Sequence, residues 1–114
     1  MSDAAPIDWK QLRSRTPGDA ERAALRATLV ERARLVREHG WDGYRGEWTE
    51  GEQAGVAYLL EDTAQLTELG EPEGSVLTRY AGELYGFTGA RKEIDSGLVG
   101  TQAWFAAARA DLAR

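Results

Sequence analysis

The sequence predicts an all-α protein, a compact single-domain bundle of four main helices with a short N-terminal arm. Apolar residues recur at helical spacing in four successive stretches, and no stretch shows the period of two that a half-buried strand requires. The connectors between these stretches are only about two to nine residues long, which is typical of helices packed against one another. A chain of 114 residues fits one domain, here residues 1–114, and is long enough to bury a sizeable core.

The first sixteen residues are expected to form an extended arm with a short turn at the sequence IDWKQL. Ile7, Trp9 and Leu12 are the large apolar residues of this segment. They are the side chains that could hold the arm against the core.

The first helix is predicted at about residues 17–39. Thr16 is a suitable N-cap in front of Pro17, and Gly40 is a typical residue just beyond a helix C-terminus. Apolar residues share one face of this helix: Leu25, Leu29, Ala33 and Val36. Arg32 and His39 fall inside the same apolar arc, which is an unusual place for a charged or titratable side chain.

The second helix is predicted at about residues 50–69. Thr49 and Glu52 have the spacing of a capping box, and Gly70 provides the stop. Its main face and its opposite face both carry large side chains: Val56, Leu59, Leu60, Thr63 and Ala64 on one, Tyr58, Asp62 and Leu69 on the other. We therefore expect this helix to be covered on two sides.

The third helix is predicted at about residues 72–86, beginning at Pro72 and ending near Gly86. Five residues at helical spacing form its apolar stripe: Leu77, Tyr80, Ala81, Leu84 and Tyr85. These side chains are expected to face the core.

The fourth helix is predicted at about residues 90–113. Its stripe comprises Ile94, Leu98, Phe105, Ala108 and Leu112. Gly97 and Gly100 weaken the helix at its centre, and Asp95 or Ser96 could cap a restart there.

The connector between the first two helices, with the sequence GWDGYRGEWTEGE, combines aromatic rings, acids and glycines. Its rings either plug the open end of the bundle or are displayed to a partner, and the two roles are compatible. Trp, Tyr and Arg are the residue types that dominate interface energies. The candidate partner-binding residues come from this connector and the following helix: Trp41, Asp42, Tyr44, Arg45, Glu47, Trp48, Tyr58 and Asp62.

Charge is distributed unevenly along the chain, whose net charge is −5. Residues 1–40 carry eight Lys or Arg and six Asp or Glu, whereas residues 41–114 carry six and thirteen. Eight acids and no base lie between Arg45 and Arg79. Such a field repels nucleic acid and attracts basic proteins. The basic first helix is expected to lie against the acidic half, within one chain or across a homodimer.

Residue types that commonly act in catalysis or bind metals are few in this sequence. The chain has one histidine and no cysteine, and neither a Walker loop nor an EF-hand spacing is present, so we expect no catalytic centre, metal or other cofactor. Arg32, His39 and Tyr80 form the best candidate pocket between helices, with His39 as the general acid or base.

The leading hypothesis is a non-catalytic, acidic interaction module that binds a basic protein, similar in charge and size to antitoxins, immunity-type inhibitors or small adaptors. A small-ligand protein or enzyme using Arg32, His39 and Tyr80 is the alternative, and DNA binding through the arginine-rich first helix ranks third. The first ten residues are polar and the longest apolar runs are short, so we expect a cytoplasmic protein without membrane association.

Overall fold

A computed structural model describes residues 16–114 of the chain. The interpretation of Ile7, Trp9 and Leu12 as anchors of an N-terminal arm lies outside the described residues. Within residues 16–114 the structure contains helices and no strand, so the predicted all-α class is confirmed. Five helices occur in chain order: α1 Asp19–His39, α2 Glu50–Leu60, α3 Thr63–Leu69, α4 Glu73–Asp95 and α5 Val99–Leu112.

Helix α2 lies at the centre of the fold and contacts the other four helices. Residues 53–57 are all buried, which a helix covered on only one face would not show. The predicted cover on two sides is therefore correct for α2, whereas Thr63 and Ala64, which were assigned to the same main face, lie in α3 and are exposed. The core around α2 includes Phe105 and Leu84, both with no exposed surface, together with an edge-on contact between Phe105 and Tyr80 at 5.0 Å between ring centres.

Helix α1 begins at Asp19, two residues later than Pro17. The N-cap is Gly18, whose backbone N–H donates to Glu21 Oε1 at 3.3 Å, and not Thr16 as the spacing suggested. The predicted stop at Gly40 is correct, with φ of 81°. The predicted apolar face is buried except for Leu25, which is half-buried, and it also includes Val30.

The predicted second helix is divided into α2 and α3 at Glu61 and Asp62. Glu61 has the left-handed conformation, with φ of 58°, and ends α2. Asp62 starts α3 as its N-cap, because Oδ1 accepts a hydrogen bond from Gln65 N at 3.0 Å. An acid favoured at an N-cap thus competes successfully with continuation of the helix.

The third predicted helix ends near Gly86 as expected, whereas the fourth is broken. Gly86 has a non-helical backbone, with φ of 76°, so α4 consists of two helical segments that meet there in a kink, and the second segment runs to Asp95. The chain then reverses at Gly97 and Leu98, with φ of 84° and 62°. Because of this break Ile94 is 49% exposed, and its assignment to a continuous apolar stripe was wrong.

Glu93 caps the start of α5 in place of the predicted Asp95 or Ser96. Its Oε1 accepts from Thr101 N at 2.7 Å and from Thr101 Oγ1 at 2.8 Å, which satisfies an amide in the first turn of α5. At the other end, Arg109 donates to the carbonyls of Leu59 and Tyr58, near the C-terminus of α2. Helix α5 is thereby fixed to both of its neighbours.

Candidate functional site

The connector between α1 and α2 is an ordered pair of turns. Tyr44 N donates to Trp41 O at 2.9 Å, and Trp48 N donates to Tyr44 O at 3.0 Å. This geometry stacks the Tyr44 and Trp48 rings, with centres 4.5 Å apart and planes at 12°. Two of the predicted partner-binding rings therefore form one stacked pair, whose exposed part we call the aromatic surface of the connector.

Polar contacts attach the connector to α2 and α3. Trp41 Nε1 donates to Asp62 Oδ2 at 2.8 Å. Gln53 Nε2 donates to Arg45 O and to Trp48 O, each at 3.0 Å, and Gln53 Oε1 accepts from Gln65 Nε2 at 3.3 Å. The hydrogen bonds of a buried glutamine thus hold the connector in one conformation.

Sequence reasoning did not identify Gln53 and Gln65. Both side chains are buried, at 5% and 4% exposure, and buried polar groups in proteins are almost always hydrogen-bonded. The only signal in the sequence was a polar residue within an otherwise apolar helical segment next to a loop. Such a residue can anchor the loop, because its hydrogen bonds to the loop backbone add to the apolar contacts of the loop.

Each connector ring is half-buried against the core and half accessible. Trp41, Tyr44 and Trp48 pack against the buried cluster but retain intermediate exposure. Their packing against the core agrees with the plug interpretation, and the display interpretation stays a prediction that their partly exposed surface allows.

The charged residues of the connector divide into paired and unpaired groups. Arg45 pairs with Asp42 and, through Nε, with Glu68 at 3.3 Å. Glu47 and Glu61 are exposed and make no ion pair with any residue from 16 to 114. We call the surface formed by the connector, Glu61, Asp62 and Glu68 the acidic face.

Tyr58 does not share these contacts. Its ring lies edge-on to Phe105 at 4.6 Å, with the Arg109 guanidinium 4.8 Å from its centre. Asp62 does join the connector, through Trp41. The structure thus brings seven of the eight predicted partner-binding residues together in and beside the connector, and places Tyr58 in contact with α5.

A cleft of about 450 Å³ adjoins the connector between α1, the start of α2, and α4. We call it the first cleft. It is lined by Leu25, Arg32, Thr49, Glu50, Gly51, Glu52, Arg79, Tyr80 and Glu83. Two of the three predicted pocket residues, Arg32 and Tyr80, therefore lie in one site, whereas His39 does not line it.

Two glycines allow α4 to approach α2 at the first cleft. A Cβ added to Gly51 would lie 2.9 Å from Arg79 Nη1, and one added to Gly55 would lie 1.9 Å from Tyr80 Oη. Real Cβ atoms do not approach other atoms as closely as the second distance. The Tyr80 hydroxyl consequently lies against the backbone of α2 at Gly55.

Both arginines of the first cleft are paired with carboxylates. Arg32 Nη1 lies 3.2 Å from Glu52 Oε2, and its guanidinium is 5.4 Å from the centre of the Trp48 ring. Arg79 donates from Nε and Nη2 to Glu71 Oε1, at 3.0 and 2.6 Å. Arg32 also links the cleft to the aromatic surface of the connector.

The environment of the cleft shifts two pKa values away from neutrality. The backbone N–H of Thr49, helped by Arg32, holds the pKa of Glu52 below its usual value, against some desolvation. Burial, joined by the Glu83 carboxylate, raises the pKa of Tyr80 to about 12. The carboxylate is thus favoured as an anion, and the phenol stays protonated under ordinary conditions.

His39 lies at the exposed C-terminal end of α1, where its Nε2 is 3.8 Å from Glu38 Oε1. No other ion pair of His39 occurs with residues 16–114. The structure therefore separates the single histidine from Arg32 and Tyr80.

Metal and membrane features are likewise missing from the described part of the chain. No group of three or more His, Asp or Glu side chains in residues 16–114 is arranged to hold a metal ion. Over the same residues, none of the helices has both the length and the apolar character needed to cross a bilayer.

Comparisons of this chain with protein-family models, with curated proteins and with solved structures gave no match.

Proposed function

We propose that this protein is a non-catalytic interaction module whose acidic face binds a basic protein partner. The observation that carries the proposal is the position of Glu47 and Glu61, two exposed carboxylates unpaired within residues 16–114, beside half-exposed aromatic rings. Aromatic rings supply contact area, and unpaired charge steers a partner of opposite sign. The combination favours a basic surface over a neutral one.

The fixed geometry of the connector supports the same proposal. The stacked Tyr44 and Trp48 rings and the hydrogen bonds from Gln53 present the acidic face without a need to order it on binding. Preorganised surfaces lose less conformational entropy when they associate. Among functional classes, this profile suits an antitoxin, an immunity-type inhibitor or a small adaptor acting in the cytoplasm.

Matched charge reversals test this function. The double variant Glu47→Lys with Glu61→Lys changes the acidic face, and Glu31→Lys with Asp95→Lys changes the net charge equally at exposed positions elsewhere. All four side chains are exposed and make no ion pair with residues 16–114. Partners captured from source-cell extract by the wild type are purified and titrated against both variants by calorimetry.

The proposal expects a basic partner whose affinity falls about tenfold or more for the acidic-face variant and stays near that of the wild type for the control. Binding should also weaken as NaCl rises from about 0.05 to 0.5 M, because exposed charges are screened. Equal losses in both variants, or a partner that is itself acidic, would contradict the proposal.

The first cleft favours a second function, the binding of a small ligand or substrate. Its volume lies within the usual range for ligand sites, and it brings Arg32 and Tyr80 together, although without His39. A metabolite that raises the Tm of the wild type but not of Arg32→Gln would support this alternative. A panel without such a compound would leave the interaction module as the better account.

A further inference from the structure

The first cleft has an excess of negative charge once its ion pairs are counted. Arg32 is compensated by Glu52, and Arg79 by Glu71. Glu50 and Glu83, which also line the cleft, make no ion pair with any residue from 16 to 114. A cation entering the cleft would therefore meet two carboxylates without competing partners.

Tyr80 provides a second and independent feature. The residue is only 6% exposed, yet its hydroxyl makes no hydrogen bond to residues 16–114. The hydroxyl lies against Gly55 and lines the cleft, and its oxygen is reached by solvent, because no buried side-chain N or O atom in residues 16–114 lacks a hydrogen-bond partner. A solvent-accessible hydroxyl without a partner in the described residues is free to form a hydrogen bond with a ligand in the cleft.

We propose that the first cleft binds the guanidinium or ammonium end of one arginine or lysine side chain from the basic partner. The carboxylates of Glu50 and Glu83 accept charge-assisted hydrogen bonds from the cation, and Tyr80 Oη accepts a further one. The inference rests on the proposed function and adds a specificity-determining pocket to it.

The position of the cleft argues for a side chain of a bound protein as the occupant. Arg32 lines the cleft and also contacts the Trp48 ring, so the cleft opens beside the aromatic surface of the connector. A partner seated on the acidic face could extend one long basic side chain into the cleft. The recognition resembles a pocket that anchors a single residue at the edge of a larger interface.

A short peptide tests the inference by NMR. The probe is acetyl-Gly-Arg-Gly-amide, and the control peptide carries citrulline, which has the same shape without the positive charge. The arginine peptide should shift the amide signals of Gly51, Gly55 and Glu83, and the citrulline peptide should bind about tenfold more weakly. Agmatine is the third probe and represents a free small cation.

Three conservative variants and one control locate the binding. Glu50→Gln and Glu83→Gln should each weaken the arginine peptide about tenfold, Tyr80→Phe several-fold, and Glu31→Gln not at all. Glu50 and Glu83 make no stabilising contact within residues 16–114, so these variants keep the fold, which the amide spectrum also reports.

The inference fails if both peptides bind equally, if the shifts occur only on the acidic face, or if agmatine binds more tightly than the arginine peptide. It also fails if neither peptide shifts the cleft. Any of these results would leave the charge-reversal test of the acidic face unaffected. Conversely, cleft binding with no effect of the acidic-face variant would refute the proposed function alone.

Discussion

Two of the clefts that lie between helices of the described residues differ in how their charges are balanced. The first cleft, of about 450 Å³, lies between α1, α2 and α4, and a second cleft of about 330 Å³ lies between α1, α4 and α5. The second is lined by Asp19, Arg22, Ala23, Arg26, Tyr85, Gly100, Ala103, Trp104 and Ala107.

Every charge that lines the second cleft has a partner. Arg22 pairs with Asp19 and donates to the Leu84 carbonyl at 3.1 Å, while Arg26 Nε lies 2.8 Å from Asp111 Oδ2. In the first cleft Glu50 and Glu83 remain unpaired within residues 16–114. The comparison teaches that two clefts of similar volume can differ in charge balance, so volume alone does not distinguish them.

The ion pairs also show which part of the chain the basic helix α1 contacts. It lies against the acidic half, as expected, through Arg26 with Asp111 and Arg32 with Glu52. Within residues 16–114, Arg32 is the one α1 residue that pairs with the eight acids between Arg45 and Arg79. The acidic stretch is consequently left largely uncompensated by α1.

The largest expected effect is a difference in stability between alanine substitutions at a glycine beside the first cleft and at a glycine that lines the second. Gly55→Ala should lower the free energy of unfolding by about 1–3 kcal/mol, because its Cβ would overlap Tyr80 Oη and force α4 away from α2. Gly100→Ala should cost less, since its nearest atoms are the ends of the Glu93 and Tyr85 side chains, at 2.8 and 2.9 Å. Urea unfolding measures both.

Gly82→Ala is the control for this pair. Gly82 lies inside α4 with nothing within 4 Å of an added Cβ, so alanine should stabilise the protein by about 0.5–1 kcal/mol. If Gly55→Ala did not lower the free energy of unfolding relative to Gly82→Ala, the close approach of α2 and α4 would be disproved.

The second effect concerns the hydrogen bonds that attach the connector to α2. Gln53→Ala should lower the free energy of unfolding by about 1–2 kcal/mol, since it leaves the carbonyls of Arg45 and Trp48 without their donor. The tryptophan emission, to which Trp48 contributes as one of four tryptophans, should shift to longer wavelength as the Trp48 ring becomes more exposed. Gln102→Ala, at an exposed glutamine, is the comparison, and an equal loss there would remove the anchoring role.

The third effect tests charge balance directly. Asp111→Asn breaks the ion pair with Arg26 and should cost up to about 1 kcal/mol, as expected for a partly exposed pair. Glu83→Gln, in the first cleft, should leave the free energy of unfolding within about 0.5 kcal/mol of the wild type. Thermal unfolding of both variants at low salt measures the two losses of stability. A larger loss for Glu83→Gln than for Asp111→Asn would mean that a cationic group compensates Glu83.

The smallest effect is a pH dependence at the entrance of the first cleft. Because the pKa of Glu52 is lowered in the folded protein, its contribution to stability is present above the usual value of 4.5. The contribution is lost as the pH falls through the lowered pKa. The difference in free energy of unfolding between the wild type and Glu52→Gln should therefore be largest near neutral pH and shrink in acid, and a constant difference would refute the assignment.

The regular parts of the fold were predictable because local signals and tertiary packing agreed. Thr49 and Glu52 form the expected capping box, with hydrogen bonds of 2.9 and 3.1 Å, and Gly40 ends α1. Helical spacing placed Tyr80, Phe105 and Ala108 in the core correctly. In each of these cases the residues that determine the local structure lie within about four positions of one another in the sequence.

The ends of the broken helices and the residues of the first cleft were harder to predict from the sequence, because they depend on contacts between residues that are far apart in the chain. Glu61 and Leu98 have positive φ although neither is glycine, and no local rule places them there. The bond from Glu93 to Thr101 starts α5 from a neighbouring helix. The first cleft depends on which carboxylates find partners after folding, so sequence reasoning identified Arg32, Tyr80 and the close approach of helices at Gly51 and Gly55, but not Glu50 and Glu83 as cleft residues.

The protonation behaviour of the first cleft has a consequence for how the protein would respond to its surroundings. The pKa of Tyr80 is raised to about 12 and that of Glu52 is lowered, and the chain's one histidine does not line the cleft. The shifts of Tyr80 and Glu52 both move their pKa values further from the range in which a cell becomes mildly acidic. For the cation binding proposed above, occupancy of the cleft is therefore expected to depend on ionic strength, and the titration of Glu52 or Tyr80 is not expected to make it respond to mild acidification.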